Sequence, residues 1–229
     1  MNFEYIDKNF KELTDEIHTL ADKQCREVKL VSVTKSGSDE ELCALAAAGA
    51  LDIGENRPGE LRRRGDLLRE KGFTPALHEI GNLQRNKVKL IIESVSLIHS
   101  LDTPELAKEI DKQAGRVGRR VPVLIEVNSA REAQKGGVFP EDVEAFLLEV
   151  RKLPNISVCG LMTMGPVVDD PEAIRPYFRL TKELFDRLNR TCGFDGEGIL
   201  SMGMSDSYRV AIEEGSTLVR VGRRLFNKK

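Results

Sequence analysis

Short apolar runs and amphipathic stretches alternate along this chain eight times, and that alternation constrains the fold more than any other feature. The apolar runs have the length of buried strands and lie at residues 28–33, 50–53, 76–80, 96–100, 121–127, 157–161, 198–200 and 217–221. Helix-breaking glycines such as Gly49 and Gly72 end the amphipathic stretches between them. Strands that alternate with helices pair in parallel through crossover helices, so we expect an α/β fold.

Eight strand–helix units fit a single (β/α)8 TIM barrel. Such a barrel needs roughly 200 to 250 residues, and the chain has 229. A doubly wound sheet is the second candidate, but no G-x-G-x-x-G follows the first strand. With no internal repeat or linker, residues 1–229 are expected to form one domain. An extra amphipathic helix over residues 3–24 precedes the first strand and could close the bottom of the barrel.

Local signals predict where the elements begin and end. Ser38 and Glu41 form a capping box, and Ser205 or Asp206 can cap a helix over residues 208–214. The run Arg62-Arg63-Arg64 falls on a helix and is interpreted as a solvated face. A turn is expected at residues 54–56, and further helices over residues 83–92, 140–152 and 170–192.

Composition argues against several classes of function. Lys and Arg number 35 against 37 for Asp and Glu, a net charge of −2 that disfavours a broad nucleic-acid surface. No apolar run is long enough to span a membrane, and the polar start of the chain is unlike a signal peptide. The 4 cysteines lack metal-ligand spacing and the 3 histidines are scattered, so no metal site is expected. Cys43 and Cys159 lie in apolar runs and are interpreted as thiols, which favours a reducing, cytoplasmic setting, although an even count of cysteines also permits disulfides.

Polar side chains follow the predicted strands, where a barrel collects its functional groups. Lys35 is the sole lysine immediately after an apolar strand. An amine beside low-dielectric walls or a second cation, here Arg220, loses its proton more easily and can attack a carbonyl. The full set of strand ends comprises Lys35, Asn56, His78, Asp102, Asn128, Met162 to Met164, Ser201 and Arg220.

The last two predicted strand ends are rich in small residues. The seventh leads into Ser201-Met202-Gly203-Met204-Ser205-Asp206, and the eighth into Arg220-Val221-Gly222-Arg223. Two neighbouring strand ends with free backbone N–H groups can hold a phosphate. A lysine opposite a phosphate site predicts a phosphorylated aldehyde bound as a Schiff base. Pyridoxal phosphate and the sugar phosphates of aldolases both satisfy that chemistry.

The motifs together resemble one known family. In chain order they are Leu30-Val31-Ser32-Val33-Thr34-Lys35, Gly54-Glu55-Asn56, His78-Glu79-Ile80-Gly81-Asn82-Leu83-Gln84-Arg85-Asn86-Lys87, Lys135-Gly136-Gly137, Gly160-Leu161-Met162-Thr163-Met164, Leu200-Ser201-Met202-Gly203-Met204-Ser205-Asp206, and Val219-Arg220-Val221-Gly222 with Leu225-Phe226. From end to end the chain resembles the YggS/PROSC family of pyridoxal-phosphate-binding homeostasis proteins, which are similar to the N-terminal barrel of alanine racemase.

The resemblance implies that Lys35 holds pyridoxal 5'-phosphate (PLP) as a Schiff base. It assigns the phosphate to Ser201, Gly222 and Arg223, the last through its backbone N–H. No residue is expected to be catalytic, because the resemblance implies a carrier or regulator of PLP.

The resemblance also places side chains around the cofactor ring. Arg220 would approach the pyridine nitrogen, and Asn56 and His78 would line the pocket. Met202 would either pack on the ring or fill the core. A cation beside the ring nitrogen disfavours its protonation and makes the ring a weaker electron sink.

The function implied is PLP homeostasis, by buffering or delivery to PLP-dependent apoenzymes, without robust catalysis. Alanine racemase has a second, β-rich domain that we do not expect here, so the cofactor face should be open and the protein a monomer. Three alternatives remain open: a weak PLP-dependent amino-acid racemase, a Schiff-base aldolase for sugar phosphates, and a protein-interaction barrel whose ligand is incidental.

The chain departs from the family pattern at several positions. Glu79 places a carboxylate where an apolar group is expected, and Asn82 stands where His is frequent. Arg57-Pro58-Gly59 replaces a more usual Tyr-Val-Gln. Arg223 stands where Ser or Thr is frequent, so a hydroxyl contact to phosphate would be lost.

Overall fold

The computed structural model describes residues 3–132 and 134–228. Eight parallel strands form a closed barrel in sequence order, with β8 paired to β1. The strands are β1 Lys29–Val33, β2 Asp52–Glu55, β3 Ala76–Glu79, β4 Leu97–Leu101, β5 Val121–Glu126, β6 Ile156–Met162, β7 Ile199–Ser201 and β8 Leu218–Val221. The predicted (β/α)8 barrel is confirmed.

An outer ring of helices covers the barrel. The α-helices are α1 Glu4–Lys23, α2 Asp39–Ala47, α3 Pro58–Glu70, α4 Pro104–Arg116, α5 Val143–Val150, α6 Arg175–Thr191 and α7 Tyr208–Glu213. Short 3-10 segments lie at Arg85–Leu90 and Pro171–Ile174. The capping box of α2 is formed as predicted, with the Ser38 hydroxyl accepting from the Glu41 N–H at 3.2 Å and the Glu41 carboxylate accepting from the Ser38 N–H at 2.7 Å.

The helix before the first strand belongs to the outer ring, so the expectation that α1 closes the bottom is wrong. It packs between α2 and α7, with Ile6, Leu13 and Ile17 buried. The Tyr208 hydroxyl at the start of α7 donates to the Glu16 carboxylate at 2.6 Å. Within residues 222–228 no helix follows β8, so α1 fills the ring position that such a helix would occupy.

Two predicted elements differ from those in the structure. The second strand starts at Asp52, and Gly54 and Glu55 lie in the strand rather than in a turn. The third unit has a 3-10 segment where an α-helix over residues 83–92 was predicted. Gly81 lies close to the end of β2, where an added Cβ would lie 2.3 Å from the Asn56 carbonyl oxygen, and the 3-10 segment begins four residues later at Arg85.

Two helices are also shorter than predicted. α5 begins at Val143 because residues 140–142 form a turn, with the Asp142 N–H donating to the Phe139 carbonyl. α6 begins at Arg175, after the separate 3-10 segment. Pro176 has no N–H to donate back to the preceding turn, so one continuous α-helix from residue 170 is disfavoured.

The barrel interior differs from the apolar layer around it. Side chains alternate across a strand: Leu200 and Met202 pack in the outer apolar layer, which leaves Ser201 facing inward. The interior holds one small apolar cluster of Val31, Leu97, Leu124, Met162 and Leu218. Its polar and charged buried groups include His78, His99, Glu126, Ser201 and Arg220.

Candidate ligand site at the barrel mouth

Lys35 lies exposed at the carboxyl end of β1, as the sequence predicted. The Thr34 N–H donates to Gly54 of β2 at 3.0 Å, and the Gly37 N–H closes the turn onto the Thr34 carbonyl at 2.9 Å. On the other side, the Cα of Gly222 is so close to β1 that an added Cβ would lie 2.8 Å from the Val33 carbonyl oxygen. Lys35 therefore follows β1 at the mouth, where the end of β8 lies alongside.

A buried arginine, Arg64, hydrogen-bonds to the turn from Thr34 to Gly37 that contains Lys35, called here the Lys35 turn. The Arg64 guanidinium donates to the Thr34 carbonyl and, at 2.7 Å each, to the Gly37 carbonyl and the Glu55 carboxylate. The Arg64 side chain is only 8% exposed. The prediction that the run Arg62-Arg63-Arg64 forms a solvated face is therefore wrong for Arg64. Arg63 is exposed and pairs with Asp39. Helical geometry places adjacent residues on different faces, and Arg64 is the one that faces the sheet.

The loops after β7 and β8 meet at a corner lined by a hydroxyl and a backbone amide. The Gly222 N–H donates to the Ser205 hydroxyl at 3.3 Å. The Arg220 N–H donates to the Gly203 carbonyl at 3.0 Å, and Gly203 has a φ of +94°, which a residue with a side chain rarely adopts. No side chain at position 222 covers the amide, and Ser205 is only half-buried.

The capping prediction for α7 is wrong, and the reason bears on the site. Ser207, not Ser205 or Asp206, precedes the helix, and its hydroxyl accepts from the Met204 N–H at 3.2 Å. Asp206 pairs instead with the exposed Arg223 side chain. Ser205 is thereby left facing Gly222.

Arg220 and Ser201 lie beneath the mouth and contact each other. The Arg220 guanidinium donates to the Ser201 hydroxyl at 2.5 Å and to the Thr163 carbonyl at 3.1 Å. Burial lowers the pKa of Arg220 to about 10, against the opposing influence of Glu126. Ser201 is fully buried and engaged inside the barrel.

His78 also lies inside the barrel, where both ring nitrogens have partners. One is 2.9 Å from the Asp52 carboxylate and the other 2.9 Å from His99. The second nitrogen of His99 is 3.1 Å from the Ser201 hydroxyl. Burial, followed by His78 and Arg220, holds the pKa of His99 well below its usual range. His99 was not among the predicted site residues, although it lies in the middle of the buried strand β4.

The remaining predicted residues separate. Asn56 is exposed at the end of β2, on the same rim as Lys35. Met202 is fully buried in the layer between barrel and helices, so the structure supports its role as core filler rather than ring contact. The Arg223 side chain is 72% exposed, and its ion pair with Asp206 leads it away from the interior.

Glu126, at the end of β5, is a buried carboxyl that the sequence analysis did not single out. Burial raises its pKa to about 7; Asp102 adds to that rise and Arg220 opposes it. It borders a small cavity of about 20 Å³, room for about one water molecule. The cavity is also lined by Asn128, Ser129, Lys135, Met164 and Gly165.

A larger groove of about 840 Å³ lies on the outer rim, between the segment Asn82 to Asn86 and the start of α4. Asp102 lines it, and burial raises the pKa of that carboxyl, while the Gly137 N–H donates to it at 3.3 Å.

Among residues 3–132 and 134–228, no three His, Cys, Asp or Glu side chains are grouped so as to hold a metal ion. Within that same part of the chain, no helix is long and apolar enough to cross a bilayer. The described cysteines are free thiols.

Known proteins are similar to this chain in both sequence and fold. Residues 7–228 match the family model of the alanine racemase N-terminal domain. The chain is 42% identical over 201 residues to the pyridoxal phosphate homeostasis protein of Aquifex aeolicus, covering 88% of this chain and 87% of the relative. PipY of Synechococcus elongatus PCC7942, whose structure has PLP bound, superimposes with a TM-score of 0.83 at 27% identity, over 97% of this chain and 100% of that one.

A further solved structure extends the likeness. An unknown protein from Bifidobacterium adolescentis superimposes with a TM-score of 0.89 at 34% identity, over 98% of this chain and 95% of that one. The resemblance inferred from the motifs is confirmed: this chain belongs to the alanine racemase N-terminal domain family and, within it, to the pyridoxal phosphate homeostasis proteins.

Proposed function

We propose that this chain binds pyridoxal 5'-phosphate through Lys35 and serves PLP homeostasis, by buffering the cofactor or delivering it. The observation that carries the proposal is the exposed Lys35 after the end of β1, whose neighbouring strand β8 leads into the Ser205–Gly222 corner at the same mouth. When bound, PLP supplies an aldehyde that a lysine amine holds as a Schiff base. The homeostasis name of the Aquifex aeolicus relative and the PLP bound to PipY support this assignment.

The phosphate of PLP is assigned to the Ser205 hydroxyl and the Gly222 and Arg223 amides, a change from the prediction that named Ser201. The Ser201 hydroxyl is fully buried and already bonded to Arg220 and His99. Ser205 is half-buried and faces the Gly222 N–H. A phosphate oxygen can take the place of the serine as acceptor for that amide, while the serine hydroxyl donates to the phosphate.

Arg220 is assigned to the ring-nitrogen side of the cofactor. With its pKa at about 10, the guanidinium is a cation at neutral pH. A cation at that position disfavours protonation of the ring nitrogen and weakens the ring as an electron sink. Asn56 is assigned to the rim of the pocket. His78 is assigned a place beneath it, because its partners lie inside the barrel.

The proposal extends to the domain, the oligomeric state and the partners of the protein. Residues 1–229 are proposed to be one PLP-binding domain that acts as a monomer in the cytoplasm, with PLP-dependent apoenzymes as recipients. The closed barrel, with α1 filling the outer ring, supports a fold that needs no second copy.

The test is a titration of ligand-free protein with PLP, followed by absorbance. Wild-type protein is expected to develop a saturable visible band, and Lys35→Ala to form no covalent band while keeping its circular dichroism. Lys89→Ala, an exposed lysine on the 3-10 segment, is the matched control and should behave as wild type. A full band in Lys35→Ala would overturn the assignment.

A second candidate, weak racemase-type proton exchange, is favoured by one observation. Glu126 is a buried carboxyl near the mouth with a pKa of about 7, which suits a group that exchanges protons at neutral pH. The test is deuterium uptake at the α-carbon of alanine in heavy water. Exchange above that of free PLP, lost in Glu126→Gln, would support this candidate. No excess exchange would eliminate it.

A further inference from the structure

A continuous line of polar side chains crosses the barrel interior below the proposed PLP site. It begins at Asp52 at the amino end of β2, passes through His78 and His99, and reaches Ser201 and then Arg220. The heavy-atom distances from Asp52 onward are 2.9, 2.9, 3.1 and 2.5 Å. All of these groups except Asp52 are buried, and the Asp52 side chain is 24% exposed.

The two ends of this line fix the proton positions between them. A guanidinium can only donate and a carboxylate can only accept. Ser201 therefore accepts from Arg220, and the His78 nitrogen next to Asp52 carries a hydrogen. If both imidazoles are neutral, the remaining links have one solution: Ser201 donates to His99 Nδ1, and His99 Nε2–H donates to His78 Nδ1. Burial and the neighbouring Arg220 and His78 keep the pKa of His99 low, which supports its neutral form.

We propose that Asp52, His78 and His99 are positioning residues for Arg220, acting through the Ser201 hydroxyl. With its hydrogen directed to His99, Ser201 presents a lone pair to the guanidinium. The Thr163 carbonyl binds the other side of that group. Arg220 is thereby held in one orientation below the ring-nitrogen side of the cofactor. The cofactor part of this inference rests on the proposed function; the hydrogen-bond order does not.

The surroundings leave few other charges that could set this order. From β5, Glu126 faces Arg220, and it is the charged group that acts most directly on it. From β2 and β4, Asp52 and His99 are the ionisable partners of His78. In the competing arrangement, a doubly protonated His78 donates to both Asp52 and His99 Nε2. His99 then carries its hydrogen on Nδ1 and donates it to Ser201. The two arrangements differ by one proton and predict opposite tautomers of His99.

The first experiment uses ligand-free protein labelled with 15N histidine. Only His18, His78 and His99 contribute signals, and exposed His18 serves as the internal reference. Long-range proton–nitrogen spectra at neutral pH are expected to show hydrogen on Nε2 of both His78 and His99. Hydrogen on Nδ1 of His99 would overturn the proposed order. This result does not depend on whether the protein binds PLP.

The second experiment compares Asp52→Ala with Asp52→Asn, whose amide oxygen can still accept from His78. In Asp52→Ala, slowed rotation of the Arg220 guanidinium seen by NMR should be lost, and PLP binding should weaken about threefold to tenfold, as expected for one net hydrogen bond. Asp52→Asn should restore both readouts to near wild type. Asp66→Ala, an exposed carboxylate on α3, is the control for general loss of charge.

Loss of thermal stability in Asp52→Ala, with Arg220 rotation and the absorbance of bound PLP unchanged, would show a purely structural role and overturn the proposal. Failure of wild-type protein to bind PLP would contradict the proposed function instead. In that case the tautomer and the Arg220 rotation still decide the inference.

Discussion

Polar groups at the mouth of this barrel differ in exposure and in hydrogen bonding from those in its interior. At the mouth, Lys35 is exposed, the Ser205 hydroxyl is half-buried, and the Gly222 amide has one long contact of 3.3 Å. In the interior, both ring nitrogens of His78 and of His99 have hydrogen-bond partners, and the Ser201 hydroxyl contacts both His99 and Arg220.

The difference separates groups that can bind a ligand from groups that support them. A buried polar group must be satisfied within the protein, because an unmet hydrogen bond costs about 1–3 kcal/mol. A group that is to bind a ligand must instead keep its hydrogen-bonding capacity until the ligand arrives. Substitutions in the interior should therefore reduce stability first, and substitutions at the mouth should reduce PLP affinity first.

The largest effect is expected from Arg64→Ala, which removes the support behind the Lys35 turn. It leaves the Glu55 carboxylate buried without its cation and frees the Thr34 and Gly37 carbonyls. Breaking a buried pair typically costs about 3–5 kcal/mol of unfolding free energy. Chemical denaturation measures the loss. Arg63→Ala on the exposed face of the same helix is the control, and an equal, small loss in both variants would contradict the assigned role.

The next effect concerns Glu79, which is buried but has one carboxyl oxygen without a hydrogen bond in the part of the chain that the structure describes. One carboxyl oxygen accepts from the Gly81 N–H at 3.1 Å, and the other has no hydrogen-bond partner among the described residues. Burial raises its pKa from 4.5 to about 8, with nearby Glu55 adding to the rise. Folded protein thus keeps a proton that the unfolded chain loses, so stability should fall as the pH rises from about 4.5 to about 8.

Glu79→Gln should make that decline shallower by on the order of 2–4 kcal/mol. The pH window matters because Glu126 and Asp102, whose pKa values are also raised, would still contribute to the decline. Unfolding free energies measured at pH 5 and pH 8 give the comparison, with exposed Glu70→Gln as the control. Identical pH slopes in wild type and Glu79→Gln would show that Glu79 is not a buried, protonated acid.

A pair of serine substitutions tests the division between mouth and interior most sharply. Ser205→Ala removes a proposed donor to the phosphate, and hydrogen bonds to charged groups contribute about 1.5–3 kcal/mol. PLP affinity should therefore fall roughly 10- to 100-fold with little change in melting temperature. Ser201→Ala should mainly lower the melting temperature, because Arg220 and His99 lose a partner, and should weaken PLP binding by no more than about tenfold. The reverse pattern would return the phosphate to Ser201.

The smallest effect is expected from Arg223→Ala. The side chain is largely exposed and pairs with exposed Asp206, and such surface pairs contribute little. The variant keeps the backbone N–H assigned to the phosphate, so PLP affinity should change less than about twofold. Isothermal titration with PLP measures it. A tenfold loss would mean that the arginine side chain, and not the amide, contacts the phosphate.

Much of the fold was predictable because it depends on local, repeated signals. Strand–helix alternation gives the barrel, and the Ser38 capping box gives the start of α2. Lys35 was predictable for the same reason, since it follows an apolar strand directly. The features that were predicted wrongly depend on contacts between residues far apart in the sequence. The burial of Arg64 depends on Glu55 and the Lys35 turn, and the choice between Ser201 and Ser205 depends on Arg220 and Gly222.

His99 shows the limit of the sequence argument. A histidine in the middle of an apolar strand carries no local sign of its partners, because His78 and Ser201 come from β3 and β7. The alternation of β4 does predict an inward-facing side chain at this position. The sequence could thus place His99 inside the barrel, but not in a line that ends at Arg220.

The central claim, that the mouth of this barrel holds PLP on Lys35, is tested most directly by borohydride reduction of the PLP-loaded protein and peptide mapping. Borohydride converts a Schiff base into a stable secondary amine, so the modified lysine can be identified by mass. We predict one pyridoxyl group on the peptide that contains Lys35. Modification centred on Lys135 or spread over exposed lysines, with Lys35 unmodified, would contradict the account.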